Sequence, residues 1–136
     1  MGGSDQGPRR VLLVDDDADF VQSMTLVLEN AGLEVDSAMN GAEAIQAARV
    51  RRPDLIVLDM LMPKKDGATT FEELSRDEQL ADIPVIFLTS VNEKTGFGLS
   101  GNDFETVYGK GPVAFLEKPV EAARLVEIVR RAIGGA

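Results

Sequence analysis

The sequence has no cysteine and no histidine. Without cysteine there can be no disulfide, zinc thiolate, iron–sulfur cluster or thiol nucleophile. Without histidine there is no Ser-His-Asp triad, no imidazole metal ligand and no histidine phosphodonor. Basic residues are also scarce: 14 Lys and Arg stand against 23 Asp and Glu, a formal net charge of −9. Such a chain repels phosphate backbones, so direct nucleic-acid binding is not expected. No apolar run approaches the roughly 20 residues of a membrane span. The opening Met-Gly-Gly-Ser-Asp-Gln-Gly-Pro lacks the basic and apolar regions of a secretory signal. The expected location is therefore the cytoplasm, with no membrane association.

What is present is ordinary for one globular domain. The 136 residues are 44% apolar and 27% charged, within the usual range for a single packed core. Residues 1–8 read as a loose tail or an expression remnant, residues 9–133 as the domain, and residues 134–136 as a flexible end. Five short apolar runs cover residues 11–14, 33–35, 55–58, 85–88 and 113–116. The first, third and fourth are continuously apolar, as strands are when both faces of a parallel sheet are covered. The second places Val35 between Glu34 and Asp36 and suits an edge.

Helical spacing fills the gaps between these runs. Phe20, Met24, Val27, Leu28 and Ala31 form one stripe, with Gly32 placed as a C-terminal cap. Ala44, Ile45 and Ala48 follow a helix start at Asn40-Gly41. Phe71 and Leu74 follow a capping candidate at Asp66, and Ala122, Leu125, Val126, Val129 and Ile133 form the last stripe. The alternation predicts an α/β fold, a doubly wound sheet with right-handed crossovers. Residues 91–112 carry five glycines, so a short or broken helix with loops is expected there.

In such a sheet, ligands bind beyond the C-terminal strand ends where the strand order reverses. Strand one ends in Asp15, Asp16 and Asp17, strand three in Asp59, strand four in Thr89 and Ser90, and strand five in Glu117-Lys118-Pro119. Asp17 has a plain reading as the cap of the first helix. A cap does not account for three consecutive acids. If strands one and three are neighbours, Asp15, Asp16 and Asp59 converge, and a bound divalent cation relieves their repulsion. Mg²⁺, a hard ion that keeps its waters, suits this set best. Ca²⁺ calls for more ligands, and the Asp-x-Asp-x-Asp-Gly pattern is absent. Lys118 reads plainly as a solvated cation, or more sharply as the partner of Asp59 or of a phosphoryl group placed on it. Pro119 restricts Lys118 to extended geometry. Thr89 reads as an ordinary strand threonine or as a hydroxyl donor to a phosphoryl oxygen.

Val14-Asp15-Asp16, Pro53 to Asp59, Met62-Pro63, Asp66-Gly67, Leu88-Thr89-Ser90 and Phe115 to Pro119 together resemble the receiver domain of bacterial two-component response regulators, in its single-domain, chemotaxis-type form. The resemblance covers nearly the whole chain. It implies a flavodoxin-like, five-stranded parallel sheet of order 2-1-3-4-5 with helices on both faces. It further implies that Asp59 accepts a phosphoryl group from the phosphohistidine of a sensor kinase or a histidine phosphotransfer protein. Asp16 resembles the direct Mg²⁺ ligand, Asp15 its partner acting partly through water, and the backbone carbonyl of Leu61 the third protein ligand. Thr89 matches the switch hydroxyl, Lys118 the phosphoryl-binding lysine, and Phe115 the aromatic switch position, where an ordinary core Phe serves equally well. Phosphorylation would then draw in Thr89 and repack Phe115 and the surface of residues 91–133, a two-state switch. The protein would be no enzyme beyond catalysing its own phosphorylation and dephosphorylation.

Two features depart from the family pattern. Between Thr89 and Lys118 lie 28 residues, more than the family usually has there, and Gly111-Pro112 stands where a Gly-Ala turn is usual. The output is expected to be a downstream protein partner or a fused output domain, with the last helix a candidate homodimer face. Two alternatives remain at this level. One is a receiver-like interaction module acting without phosphorylation through residues 91–112. The other is a Mg²⁺-dependent phosphatase of the haloacid-dehalogenase type, for which Asp15-x-Asp17 has the formal spacing.

Overall fold

The computed structural model describes residues 9–59, 67–89, 114–117 and 120–133. The continuous apolar runs form strands because each places alternate side chains on opposite faces and both faces are covered. The five strands are β1 (Arg10–Val14), β2 (Glu34–Ala38), β3 (Leu55–Asp59), β4 (Val85–Thr89) and β5 (Ala114–Glu117), and the described helices are α1 (Ala18–Asn30), α2 (Gly41–Val50), α3 (Gly67–Arg76) and α4 (Ala122–Ile133). All strand pairs are parallel, and the sheet order is β2-β1-β3-β4-β5, as the resemblance implied. β2 begins one residue later and runs three residues further than its apolar run. Its pairing with β1, from Arg10↔Glu34 to Val14↔Ala38, carries the extended backbone past the hydrophobic stretch.

The two faces separate cleanly. Leu12, Val14, Ile56, Leu58, Val85 and Phe87 pack against Ala44, Ile45 and Ala48 of α2 and Phe71 and Leu74 of α3. Their alternating neighbours Val11, Leu13, Leu55, Val57, Ile86 and Leu88 pack against Val21 and Leu28 of α1 and Leu125 and Val129 of α4. Helices therefore lie on both faces. The small Ala44 and Ala48, both fully buried, let α2 approach the sheet. Phe71 and Phe87 meet edge to face, with ring centroids 5.3 Å apart, a favoured aromatic geometry. Ala122, the first residue of α4, is exposed and does not join the buried stripe of Leu125 and Val129.

Helix ends follow the local chemistry. Asp17 caps α1, its carboxylate accepting the amides of Asp19 and Phe20. At the other end Gly32 has φ +92°. There the Leu33 amide reaches the Leu28 carbonyl at 3.1 Å and the Gly32 amide reaches Glu29 at 3.0 Å, the paired bonds of a Schellman turn. Asn40 caps α2 by accepting from the Glu43 amide at 3.0 Å, and Glu43 accepts from the Met39 amide at 2.9 Å. Arg130 of α4 donates to the Ala31 carbonyl at 3.0 Å, which ties the end of α1 to the last helix and satisfies a terminal acceptor.

Candidate functional site

The sheet order reverses between β1 and β3: the chain goes out to β2, then returns to the far side of β1. That crevice is where a doubly wound sheet binds ligands. β1 ends at Val14, paired with Leu58, so Asp15 lies one step beyond it and Asp59 one step beyond Leu58. The Asp15 amide donates to the Ala38 carbonyl at 3.1 Å, which keeps this residue in line with the strand. Asp15 is fully buried, Asp59 is buried, and Asp16 faces solvent.

These three carboxylates converge. One oxygen from each of Asp15, Asp16 and Asp59 lies within 4.8 Å of the others. Two unit charges at that separation repel by about 3.5 kcal/mol at an effective dielectric of 20. The donor set is all hard oxygen, with two buried members and one open to water. It fits a hard divalent cation that retains part of its hydration shell. The cluster could hold such an ion.

The third aspartate does something else. The carboxylate of Asp17 is turned onto the amides of α1, so the formal Asp15-x-Asp17 spacing does not join two carboxylates at one point. The amide of Asp17 donates to Asp15 Oδ1 at 2.9 Å. This contact is not among those expected from sequence. Its signal was available, since an Asp readily accepts the amide two residues ahead of it.

Thr89 ends β4, one residue past Leu88, the register partner of Asp59. It is buried, and its hydroxyl has no hydrogen-bond partner among the described residues. A buried hydroxyl here can donate to an acceptor that enters the crevice. Across from it stands Glu117 of β5. Phe115 lies on β5, paired with Phe87 in the backbone register, while its side chain is outside the described residues. Leu61, Asp66, Ser90, Lys118 and the segment 91–112 also lie outside them, as do the terminal residues 1–8 and 134–136.

A family model described as the response regulator receiver domain matches residues 11–130. The chain belongs to the response regulator receiver family. Receiver domains are signalling switches that interact with sensor kinases or phosphotransfer proteins and with output domains. The chain is similar to protein PilH of Pseudomonas aeruginosa, 30% identical and covering 93% of this chain and 98% of the relative. It is 31% identical to the polar-differentiation response regulator DivK of Brucella anthropi, covering 95% and 99%. Against the DNA-binding dual master transcriptional regulator RpaA of Synechocystis identity reaches 35%, but the match spans 89% of this chain and only 47% of that protein. Among solved structures, the receiver domain resembles Vibrio cholerae chemotaxis protein CheY4, with a TM-score of 0.79, 27% identity and coverage of 93% and 99%. It also resembles the signal receiver domain of a histidine kinase from Syntrophus aciditrophicus, with a TM-score of 0.76, 30% identity and coverage of 94% and 92%. No described helix is long and apolar enough to cross a membrane.

Proposed function

We propose that this receiver takes a phosphoryl group onto Asp59 from the phosphohistidine of a sensor kinase or histidine phosphotransfer protein, with Mg²⁺ required. The observation that carries the reading is the convergence of Asp15, Asp16 and Asp59 within 4.8 Å at the reversal point of a receiver fold. Asp59 is the nucleophile: a carboxylate oxygen attacks phosphorus, the bond to the donor imidazole nitrogen breaks, and an acyl phosphate forms. Mg²⁺ would be held by Asp15, Asp16, Asp59 and the Leu61 carbonyl. Bound there, it would neutralise charge on the phosphoryl oxygens.

Lys118 supplies a second positive charge to those oxygens. Thr89 donates its hydroxyl to one of them, a bond that it does not make among the described residues. That new bond couples the site to β4 and β5, with Phe115 as the aromatic that repacks and residues 91–133 as the surface read by the output. The output is a downstream protein partner or a fused output domain, and the setting is the cytoplasm.

The test is intact-mass analysis after incubation with acetyl phosphate. One phosphoryl group should be added with Mg²⁺ present, none with EDTA, and none in Asp59→Asn. Labelling of Asp59→Asn at the wild-type level would move the acceptor elsewhere and end the reading.

A further inference from the structure

We propose that Asp17 is a positioning residue for the metal-binding carboxylate of Asp15, acting through the first turn of α1; this rests on the reading of Asp15 as a Mg²⁺ ligand. Four hydrogen bonds, in three groups, meet on this one residue. Its carboxylate oxygen accepts the amides of Asp19 at 3.1 Å and Phe20 at 3.2 Å. Its carbonyl accepts the Val21 amide at 3.0 Å, the opening bond of the helix. Its own amide donates to Asp15 Oδ1 at 2.9 Å.

The first two groups of bonds fix the peptide planes around residue 17, whose backbone is extended at φ −89°, ψ 102°. A fixed peptide plane gives the amide one direction. That direction orients a carboxylate that is wholly buried. Partners of this kind set the rotamer of a metal ligand, and losing one typically weakens metal affinity about 10–100-fold. Asp17 itself faces solvent, and its carboxylate is spent on the helix amides, so its effect on the metal is transmitted by the backbone. The coupling runs both ways: an ion on Asp15 steadies the amide of residue 17 and with it the first turn of α1.

The test is calorimetric titration of the whole chain with MgCl₂ at constant ionic strength, comparing wild type with Asp17→Ala, Asp17→Asn and Asp17→Ser. Asn and Ser cap helices about as well as Asp, whereas Ala does not. Asp17→Ala is expected to weaken Mg²⁺ binding about tenfold, while Asn and Ser stay within about twofold of wild type. Amide exchange at residues 17, 19 and 20 should slow on adding Mg²⁺ to wild type, and this response should be lost in Asp17→Ala. Equal weakening in all three variants would assign the effect to the lost charge and overturn the proposal, as would unchanged affinity in Asp17→Ala. If far-UV circular dichroism shows Asp17→Ala to be unfolded, Asp17→Gly, a milder loss of the cap, should lie below Asp17→Asn in affinity, and equality with it would overturn the proposal. A wild-type protein that takes up no Mg²⁺ fails at the first titration, which sinks the metal reading itself along with this inference.

Discussion

Asp59→Asn should make the protein more stable in EDTA and less responsive to Mg²⁺. The side chain keeps its shape and loses its charge. Of the three carboxylate pairs in the cluster, two involve Asp59. The pair with buried Asp15 repels by about 3.5 kcal/mol at 4.8 Å and a dielectric of 20, whereas the pair with exposed Asp16 is screened toward about 0.9 kcal/mol. The sum is a ceiling, since asparagine also weakens whatever hydrogen bonds the ionised group accepts. A net gain of about 1–2 kcal/mol remains, and it should raise the melting temperature by about 3–8 °C for a domain of this size. Mg²⁺ at 100 times its dissociation constant should stabilise wild type by about 2.7 kcal/mol, which reverses the order of the two proteins. Differential scanning calorimetry with and without Mg²⁺ reads both effects. A variant that melts below wild type in EDTA would refute the idea that the acids crowd one another. A wild-type melt indifferent to Mg²⁺ would refute the relief by a cation.

Three further outcomes are expected. Gly32→Ala should cost about 1–2 kcal/mol in urea unfolding; the penalty is conformational, because φ is +92° while nothing lies within 4 Å of an added Cβ. Wild-type stability in that variant would show that α1 does not need its left-handed turn. Asp77 accepts from Arg49 Nη2 at 2.8 Å and from the Gln79 amide at 2.9 Å, and the Arg49 hydrogen bond, then the backbone one, holds its carboxyl below the usual range. A carboxyl depressed on folding adds stability above its unfolded pKa, and that stability is lost as pH falls through the folded value. Arg49→Gln should therefore move the Asp77 titration upward by NMR and shrink the acid-dependent loss of stability; an unmoved titration would remove Arg49 as the cause. Finally, beryllofluoride with Mg²⁺ is expected to shift the size-exclusion profile of wild type toward a dimer formed through α4, and not that of Asp59→Asn. Identical profiles for wild type with and without the mimic would exclude that assembly.

Much of this molecule was legible because its signals are local. The continuous apolar runs at 11–14, 55–58 and 85–88 marked strands covered on both faces, and β1, β3 and β4 are the three interior strands. The caps at Asp17 and Asn40 and the glycine at 32 were readable for the same reason, since each satisfies amides or carbonyls within a few residues of itself. Val21 is buried and lies on the same helix face as Met24 and Leu28, three and seven residues on, although the stripe expected from sequence begins at Phe20. β2 was read too short, since Asp36 and Ser37 hide a strand that pairing with β1 maintains.

The acid cluster divides along the same line. Chain order alone placed carboxylates at the ends of strands one and three, and the set of motifs named the family. Whether residues 15 and 59, 44 positions apart, face a common point was conditional on β1 and β3 being neighbours. Strand adjacency is set by how helices of both faces bury their stripes, a property of the whole packed chain that no local window contains. The same holds for Arg130 reaching Ala31 across 99 positions. Sequence determined which groups are available and which helix ends they cap; tertiary structure decided which of them meet, because contact between distant residues is made only when the sheet closes its order.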